Sequence, residues 1–533
     1  MIGQDYQLTI DTLFNSSIRN NPKQIISYMG KEHVTYEQFR DRVFKLARGL
    51  VKLGVRKGDT VAVLDWDSMK YLESYFAVPL AGGILHKVNI RYPPDLINYS
   101  MKHASDRFVI ISDEFIPTVK SSISFFDFIK GWIVSSPKLE DETALGNIYQ
   151  YQKIVESGGS VSLPELKETD MATIFYTSGT TGFPKGVSFT HRQIVLHTIV
   201  AANAFGDDPI NLKSSDVMLP LVPMFHAHQW GMPYIAIMKG MKYVLPGRYD
   251  FNEIPKIMEQ EKVNFSLMVP SILYMLLNSD NKDLLPKLNL KVVVGGGALS
   301  KGLANKAREM GITVSVGYGM SESAPLLTLS TYNMHVKELS AQERSDYDIK
   351  TGIPVPFVDL RVVDKQGKDV PWNSTAIGEI IARAPWLTSA YVNDEANTRK
   401  LWADGWMHTG DIAVVDEHGY ISVVDREKDA VKSGGEFIPT VILEDIISTF
   451  PGIGEVAVVG RPDDKWGERP VAFISGLKNI DHEEMTQYLA SFISAKKIQK
   501  FWLPDEYIPI DSFEKTSTGK IDKKVLREKL KNL

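Results

Sequence analysis

The chain is long, mildly acidic and free of cysteine. It has 533 residues, of which 44% are hydrophobic and 23% are charged, and its formal net charge is −5. This length predicts several structural units around a large core, and the acidic balance argues against nucleic acid as a partner. The absence of cysteine excludes disulfides, zinc–thiolate sites and a cysteine nucleophile.

Targeting signals and membrane spans are not recognisable in the sequence. The first residues contain no basic region followed by an apolar run, so no signal peptide is expected. No run of about 18 apolar residues occurs, so no transmembrane segment is expected. We therefore expect a cytoplasmic protein that is a monomer or a homodimer.

The first hundred residues alternate between helix and strand patterns. Thr35 and Gln38 form a capping-box pattern, apolar residues then recur at helical spacing, and Gly54 is expected to end the helix. Residues 60–64 and 108–111 are typical of buried strands, and residues 68–80 of a second helix. Such alternation predicts an α/β fold in which helices cover both faces of a mostly parallel sheet.

A glycine- and hydroxyl-rich stretch, TSGTTGFPKG, occupies residues 177–186. A predicted strand precedes it, and a short strand followed by a second capping box (Thr190 and Gln193) comes after it. Glycines let backbone N–H groups turn inward, hydroxyls donate hydrogen bonds and Lys185 adds positive charge, which together suit a polyphosphate. The stretch is not a Walker loop, because Lys185 comes three residues after Gly182 and a strand follows it.

An aromatic stretch with two histidines occupies residues 224–230. His226 and His228, two apart on a strand, could ligate a metal, but no third ligand stands nearby. We therefore interpret the stretch as the lining of an apolar pocket. Three glycines at 295–297 follow an apolar strand and favour a ligand that approaches the backbone closely.

Residues 317–322 read GYGMSE. An aromatic side chain between two glycines can stack on a planar ring, and Glu322 can hold Mg²⁺. Further on, Asp411 follows a strand and a glycine, where its carboxylate could accept hydrogen bonds from ribose hydroxyls.

The remaining sequence predicts a β-rich subdomain and a separate C-terminal domain. Short strands with Gly and Asp turns fill about residues 351–425. Five charged residues at 425–429 then indicate a linker, and the last hundred or so residues carry strands and a helix of their own. We place the N-terminal domain at 1–425 and the C-terminal domain at 426–533, with a hinge at 425–428.

The order of these motifs resembles the adenylate-forming superfamily, which contains acyl-CoA synthetases, luciferases and peptide-synthetase adenylation domains. The phosphate loop, GYGMSE, a Thr-Gly-Asp ending at Asp411, Asp-Arg-x-Lys-Asp at 425–429 and a C-terminal Thr-Gly-Lys ending at Lys520 all occur in sequence, so the resemblance covers nearly the whole chain. The chain looks most like fatty-acyl-CoA synthetases. The stretches that suggest this are 222–226 with Trp230, Leu85-His86 with Asn89 and Arg91, 432–436 and 500–504.

The resemblance implies a two-step reaction and a large N-terminal α/β domain followed by a small mobile α+β domain. A carboxylic acid, expected to be a fatty acid, attacks ATP to give acyl-AMP and pyrophosphate, and the CoA thiol then takes the acyl group and releases AMP. ATP and CoA are co-substrates and Mg²⁺ is the expected cofactor. A carboxylate is a poor electrophile whereas an acyl phosphate anhydride is a good one, and such phosphoryl chemistry needs positioning and charge neutralisation rather than a protein nucleophile.

The resemblance also assigns roles to residues. The phosphates of ATP should lie against Thr177, Ser178, Gly179, Thr180, Thr181, Gly182 and Lys185. The metal should be held by Glu322 and Thr181, the adenine by Tyr318, Gly297 and Ala298 beside Gly319, Met320 and Ser321, and the ribose by Asp411 and Arg426. Lys520 should reach the α-phosphate and the substrate carboxylate. The resemblance thus implies four catalytic residues, which are Lys520, Glu322, Lys185 and Thr181.

The acyl and CoA sites follow from the same resemblance. The acyl pocket is expected at His226, Trp230, Gly317 and Gly319, the CoA contact at Lys432, Ser433, Gly434 and Gly435, and the hinge at Lys428. The sequence departs from the family pattern at Ser321, where Thr is frequent and a hydroxyl is kept. It departs also at Lys87 and Ile90, where relatives often carry smaller or turn residues.

Other functions stay open on the sequence alone. A CoA ligase for a short thioether, hydroxy or aromatic acid fits the same motifs, as does a stand-alone adenylation enzyme that loads a carrier protein. A luciferase-like oxygenase has no specific support. A regulator that binds ATP without catalysis is disfavoured, because Lys185, Glu322, Asp411, Arg426 and Lys520 are all present.

Overall fold

A computed structural model describes the chain over residues 6–135, 145–177, 183–426, 430–434, 436–478, 480–495, 498–516 and 519–531. Residues 178–182, Lys428 and Gly435, to which the sequence assigns roles, lie outside the described residues.

Strands and helices alternate along the first 350 residues, as the sequence patterns predict. The strands are β1 (Ile25–Tyr28), β2 (Glu32–Thr35), β3 (Thr60–Leu64), β4 (Ile84–Lys87), β5 (Asp106–Ile111), β6 (Gly131–Val134), β7 (Ile148–Gln150), β8 (Met171–Thr177), β9 (Lys185–Thr190), β10 (Val217–Met218), β11 (Lys242–Leu245), β12 (Phe265–Met268), β13 (Lys291–Gly295), β14 (Thr313–Gly319), β15 (Leu326–Leu329) and β16 (Ile353–Pro354). The helices are α1 (Ile10–Asn20), α2 (Tyr36–Leu53), α3 (Met69–Leu80), α4 (Pro94–His103), α5 (Ile116–Lys120), α6 (Tyr151–Ser157), α7 (His191–Ala204), α8 (Met232–Lys239), α9 (Ile254–Glu261), α10 (Pro270–Leu277), α11 (Lys301–Glu309), α12 (Met334–Glu338) and α13 (Ala341–Tyr347).

The predicted helix boundaries are confirmed by their capping interactions. Thr35 and Gln38 exchange the two hydrogen bonds of a capping box at the start of α2, and Gly54 ends the helix in the left-handed conformation with φ of 115°. Thr190 and Gln193 form the second capping box at the start of α7. Local sequence therefore fixes where these helices begin and end.

A seven-stranded sheet carries the phosphate-loop hairpin at its edge. Its spatial order is β7-β6-β5-β3-β4-β8-β9, and all neighbours are parallel except the β8–β9 pair. The chain places β4 on one side of β3 and β5 on the other. Such a change of direction opens a crevice at the carboxyl ends of the strands, where ligands bind in open α/β sheets.

A nine-stranded sheet supplies the other half of the N-terminal domain. Its order is β16-β15-β14-β13-β12-β10-β11-β1-β2, with β14 to β1 parallel and the outermost strands antiparallel. One continuous apolar core joins the two sheets and the helices between them. For example, Phe14 of α1 stacks on Phe76 of α3 with ring centroids 4.6 Å apart.

The β-rich subdomain predicted after residue 351 is a five-stranded antiparallel sheet. Its strands are β17 (Asp359–Val363), β18 (Gly378–Arg383), β19 (Trp402–Ala403), β20 (Trp406–Val415) and β21 (Ile421–Arg426), and α14 (Glu395–Leu401) lies between β18 and β19. β20 is the central strand, and it carries Asp411.

The C-terminal domain has its own sheet and its own core. Its elements are β22 (Val431–Ser433), β23 (Glu436–Ile438), α15 (Thr440–Ser448), β24 (Val456–Asp463), β25 (Gly467–Ile474), α16 (His482–Ser494), β26 (Glu506–Pro509) and α17 (Lys523–Lys531). The strand order is β23-β22-β25-β24, with β26 beside β25. The mixed α/β class with a large N-terminal and a separate C-terminal domain is thus confirmed, and the boundary at 425/426 stays a prediction.

Among the helices that the structure describes, none combines the length and the apolar character that crossing a bilayer requires.

Candidate active site

The phosphate loop is held by a strand hairpin. β8 and β9 pair antiparallel, and their last rung joins Thr177 to Lys185. The predicted phosphate contacts Ser178, Gly179, Thr180, Thr181 and Gly182 lie outside the described residues. The two ends of the loop, Thr177 and Lys185, therefore face each other at the edge of the sheet.

Tyr391 connects two of the predicted catalytic side chains. Its hydroxyl donates a hydrogen bond of 2.5 Å to Oε1 of Glu322, and Lys185 Nζ lies 4.8 Å from the centre of its ring. Glu322 is itself buried. Burial, reinforced by the neighbouring Glu322 carboxylate, raises the pKa of the Tyr391 phenol, so the hydroxyl stays a donor at neutral pH. Tyr391 therefore links Glu322 to Lys185, which are far apart in the sequence. No sequence motif indicated Tyr391.

A second connected group joins β14 to the β-rich sheet. The Tyr318 hydroxyl donates to Oδ2 of Asp411 at 2.8 Å, and Arg426 Nε lies 3.0 Å from Oδ1 of the same carboxylate. Gly297 and Ala298, which follow β13 in the chain, are exposed. A Cβ atom added at Gly297 would contact only Pro270, at 3.7 Å. The structure therefore brings Tyr318, Asp411 and Arg426 together and leaves the backbone after β13 open to a ligand.

The turn after β14 is packed too tightly for a larger residue. A Cβ atom at Gly319 would lie 1.6 Å from the carbonyl oxygen of Pro325, whereas one at Gly317 would make ordinary contacts at 3.4 Å or more. Ser323 Oγ accepts a hydrogen bond from the Met320 N–H at 3.0 Å, and Ser321 begins the single helical turn that carries Glu322. Close backbone packing thus explains the glycine at 319 and fixes the direction of Glu322.

Lys520 reaches from the C-terminal domain to the glycine segment after β13. A Cβ atom at Gly296 would lie 3.3 Å from Lys520 Cε, and the Ser271 hydroxyl donates to the carbonyl oxygen of the adjacent Gly519. Burial first, and then the charge of Lys520, lowers the pKa of His226 to about 3. The predicted catalytic lysine, the glycine edge and the predicted acyl-pocket histidine therefore meet in one place.

The segment that carries the two histidines is a left-handed turn, so the prediction of a strand there was wrong. Ala227, His228, Gln229 and Trp230 have φ of 42°, 58°, 51° and 54°, followed by Gly231. The left-handed conformation costs non-glycine residues about 1–2 kcal/mol each, and such strain is characteristic of functional sites. Sequence patterns that assume ordinary backbone angles do not detect this arrangement.

His228 has structural partners in place of a metal. Its Nε2 is hydrogen-bonded to Thr173 Oγ1 at 2.7 Å, and its ring packs edge-on against Phe175 and Phe189 with centroids 5.1 Å away in each case. Within the described ranges, no three His, Asp or Glu side chains are grouped as a metal site. The aromatic surroundings of His228 agree with the alternative prediction that this stretch lines an apolar region.

A buried carboxylate holds the left-handed turn in place. Asp67 accepts hydrogen bonds from the Met224 N–H at 2.8 Å, from Gln229 Nε2 at 3.1 Å and from the Tyr249 hydroxyl at 2.8 Å. Tyr243 donates to the other end of the Gln229 amide at 2.5 Å. Burial raises the pKa of Asp67 from 3.8 to about 7. Sequence reasoning missed this residue, because its three partners are more than 150 residues away along the chain.

Of the predicted acyl-pocket residues, His226 lines a small cavity, and Trp230 packs against the end of β13. Trp230 is buried. A Cβ atom added at Gly295 would lie 3.0 Å from Cη2 of the Trp230 ring. The ring therefore covers the end of β13, where Gly295 pairs with Gly317 of β14. The cavity beside His226 is lined by Arg91, Leu221, Val222, Pro223, His226, Tyr249, Val269 and Ile272.

Two of the predicted CoA residues, Ser433 and Gly434, have hydrogen-bond partners within the C-terminal domain. Ser433 is buried and accepts a hydrogen bond from Arg469 Nη1 at 3.3 Å, and the Gly434 N–H donates to the Trp466 carbonyl at 2.7 Å. Lys432 is exposed on the same strand. These contacts are all internal to the C-terminal domain, and Gly435 and the predicted hinge residue Lys428 lie outside the described residues.

Family models match both domains. The model of the AMP-binding enzyme family matches residues 14–392, and that of the AMP-binding enzyme C-terminal domain matches residues 443–520. Together these matches include both ends of the phosphate loop, Glu322, Tyr391 and Lys520.

Curated relatives align over nearly the whole chain. A long-chain-fatty-acid–CoA ligase of Thermus thermophilus is 38% identical and covers 96% of this chain and 93% of its own length. A medium-chain-fatty-acid–CoA ligase of Ectopseudomonas oleovorans is 33% identical over 99% of this chain and 97% of its own. Among solved structures, an anthranilate CoA ligase in complex with anthranoyl-AMP has a TM-score of 0.84 at 21% identity, covering 99% of this chain and 98% of its own, which shows the same fold.

Proposed function

We propose that this chain, which belongs to the AMP-binding enzyme family and is an ATP-dependent acid–CoA ligase, activates an aliphatic carboxylic acid of the fatty-acid type at the site around Lys520. The observation that carries the assignment of the site is the meeting of Lys520 with Gly296 and His226. It brings a mobile cation from one domain to the apolar, neutral rim of the cavity in the other.

In the first step, a carboxylate oxygen attacks the α-phosphorus of ATP. The new acyl–phosphate bond forms as the bond to pyrophosphate breaks, and negative charge accumulates around the phosphorus. Lys520 is assigned to stabilise that charge and to orient the carboxylate, because a fixed cation acts most strongly in a site from which water is excluded. His226 is uncharged at neutral pH, since its pKa is about 3, so it contributes a neutral wall beside the reacting acid.

The phosphates of ATP are assigned to the loop that follows β8. Thr177 and Lys185 form its described ends, and Ser178, Gly179, Thr180, Thr181 and Gly182 are the proposed donors between them. Lys185 is held over the Tyr391 ring, which leaves its ammonium available for phosphate oxygens.

Mg²⁺ fits the side chains that the structure describes. Magnesium in nucleotide sites is held by one or two carboxylates together with substrate phosphates and water. The Glu322 carboxylate is buried beside the loop and has one oxygen fixed by Tyr391, and Thr181 is proposed as the second protein ligand. When bound, the ion would neutralise phosphate charge.

The nucleoside is assigned to the edge between β14 and the β-rich sheet. Adenine would lie against Tyr318 and the open backbone at Gly297 and Ala298, beside Gly319, Met320 and Ser321. The ribose hydroxyls would bond to Asp411 and Arg426, whose mutual contact of 3.0 Å already fixes the carboxylate.

In the second step, the CoA thiol attacks the acyl carbon, the thiol proton is lost and AMP leaves. We assign the CoA contact to Lys432, Ser433, Gly434 and Gly435. Since Ser433 and Gly434 are hydrogen-bonded within their own domain in this arrangement, the second step requires the C-terminal domain to rotate about Lys428. The acyl chain is assigned to the cavity beside His226 and Trp230, with Gly317 and Gly319 at its reacting end.

The decisive test is ATP-dependent pyrophosphate release across a panel of carboxylic acids, with and without CoA. The panel runs from acetate to palmitate and includes hydroxy, thioether and aryl acids. Release with aliphatic acids, together with AMP and acyl-CoA when CoA is present, is the expected result. Turnover confined to aryl acids would contradict the proposed substrate class, and pyrophosphate without acyl-CoA would favour a carrier protein as the acceptor.

A further inference from the structure

Lys87, the last residue of β4, is a buried lysine enclosed by aromatic rings. It is 1% exposed, and its Nζ lies 4.7 Å from the centre of the Phe175 ring and 5.4 Å from that of Tyr75. Within the described part of the chain, Nζ has no hydrogen-bond partner. Other half-buried lysines on strands have one: Lys242 pairs with Glu261 at 2.7 Å and Lys291 with Asp216 at 2.5 Å.

A buried amine without a hydrogen-bond partner lowers the stability of the folded protein. A buried polar group that lacks a hydrogen bond destabilises the fold by roughly 1–3 kcal/mol, and few native groups are left in this state. Burial also lowers the pKa of Lys87 well below its usual range, because the interior disfavours the charged form of the amine. An apolar residue of similar size would fill the same space without this cost, which suggests that the amine serves a ligand.

The position of Lys87 agrees with a ligand site. It stands at the carboxyl end of β4, on the edge of the sheet where the strand order places a crevice between β3 and β5, one strand away. It pairs in register with Phe175, so both side chains project from the same face as Thr173, the partner of His228.

The same face is turned toward the acyl side of the active site. The positive charge that Lys87 would carry lowers the pKa of both His226 and His228, after the larger effect of burial, so both rings lie within its electrostatic reach. His226 also lines the small apolar cavity. The Phe175 ring lies between Lys87 Nζ, 4.7 Å from its centre, and the His228 ring, whose centre is 5.1 Å away, so Lys87 is one aromatic ring away from the turn that follows His226.

We propose that Lys87 is a specificity-determining residue that binds an oxygen atom carried by the chain of the acid, remote from the reacting carboxylate. This inference rests on the proposed function of the site. The ligand group is a hydroxyl, a carbonyl or a second carboxylate, since each offers the hydrogen-bond acceptor that Nζ lacks. A plain alkyl chain offers none, so it leaves the amine unpaired.

The test compares unsubstituted alkanoates with the ω-hydroxy acid and the α,ω-dicarboxylate of the same length. For each pair, kcat/KM is measured by pyrophosphate release in the wild type and in Lys87→Met. The wild type should favour an oxygenated acid over its plain counterpart, and Lys87→Met should reduce that preference about tenfold or more. Lys87→Met should also raise Tm, because it removes an unpaired amine; a lysine needed only for packing would give a lower Tm.

Lys242→Met is the matched control. It also removes a lysine from a strand, in the other sheet, but Lys242 is already paired with Glu261. It should lower Tm and leave the preference between acids unchanged. An equal preference in the wild type and in Lys87→Met, with both enzymes active, would overturn the role of Lys87 while leaving the proposed function intact. Absence of turnover with every acid would instead contradict the proposed function.

A second measurement needs only the wild type. Because burial lowers the pKa of Lys87, a second carboxylate beside the amine should raise it again, so calorimetry in buffers of different ionisation enthalpy should report more proton uptake with the dicarboxylate than with the hydroxy acid. If plain alkanoates are better substrates than all their oxygenated counterparts, the proposal is wrong whether or not Lys87→Met folds.

Discussion

At the scale of single residues, the site depends on contacts between side chains that are distant in sequence. Lys520 comes from the C-terminal domain, yet its Cε would touch a Cβ placed at Gly296 in the N-terminal domain. Tyr391 joins Glu322 to Lys185 through one hydrogen bond and one ring contact. Both residues can be tested separately because they are assigned to different parts of the first step.

Lys520→Ala should abolish the formation of acyl-AMP and leave the reaction of supplied acyl-AMP with CoA largely intact. The physical reason is that the lysine charge is assigned only to the attack on the α-phosphorus. The two half-reactions are measured separately, by pyrophosphate release and by thioester formation. Equal loss of both would contradict the assigned role.

Tyr391→Phe should lower the rate of adenylation about tenfold and raise the Mg²⁺ concentration needed for half-maximal rate. It removes the hydrogen bond that fixes the Glu322 carboxylate but keeps the ring beneath Lys185. Tyr391→Leu removes both contacts and should also raise the KM for ATP. If Tyr391→Phe changes neither the rate nor the Mg²⁺ dependence, the hydrogen bond has no part in positioning Glu322.

At the scale of elements, the left-handed turn from Ala227 to Gly231 determines how the Trp230 ring packs against Gly295 at the end of β13. Four consecutive non-glycine residues in this conformation are held by Asp67, Tyr243 and Thr173. Their hydrogen bonds offset the backbone strain. The three residues that hold it belong to other elements, so the turn depends on the packing of both sheets.

Asp67→Asn should change the pH dependence of stability. Burial raises the pKa of Asp67 in the folded state from 3.8 to about 7, so its favourable contribution is full below pH 4 and is lost as the pH rises toward 7. Asparagine does not ionise, so the variant does not lose stability in this way as the pH rises. The free energy of unfolding of the variant, relative to the wild type, should therefore increase between pH 4 and 7, as measured by urea unfolding at each pH.

Asp67→Asn should also weaken binding of the carboxylic acid more than binding of ATP. Asparagine offers one acceptor to the three donors that meet Asp67, so the turn that carries Trp230 should loosen and the KM for the acid should rise while that for ATP stays the same. A stability difference that is constant with pH would show that Asp67 does not titrate in this range.

At the scale of the whole molecule, the two domains are in contact through α11 and α15. The Lys301 N–H donates to Asp445 Oδ1 at 2.5 Å, and a Cβ atom at Gly302 would lie only 2.8 Å from the Ser448 carbonyl oxygen, so the two helices pack closely. This arrangement brings Lys520 to the N-terminal site, while Ser433 and Gly434 are hydrogen-bonded within the C-terminal domain. It corresponds to the first step of the proposed reaction.

A disulfide between Lys301→Cys and Asp445→Cys, two residues that are in direct contact across the domains, should trap that arrangement. The chain has no cysteine, so the introduced pair cannot form a disulfide with a native residue. The oxidised protein should release pyrophosphate in a single turnover and form little acyl-CoA, and reduction should restore the second step. Each single-cysteine variant under the same oxidant is the control, and full acyl-CoA formation by the cross-linked protein would exclude a required rotation.

The sequence by itself determined the fold class and the family, and it predicted many of the helices and strands and most of the residues assigned to ATP. Capping boxes at Thr35 and Thr190 depend on contacts three residues apart, and the motifs around the phosphate loop and Glu322 are continuous stretches, so a linear pattern is enough to find them. Only the tertiary structure revealed Tyr391, Asp67, the left-handed turn and the unpartnered amine of Lys87. Each of these depends on groups that folding brings together from separate elements, and neither local propensity nor spacing along the chain records such contacts.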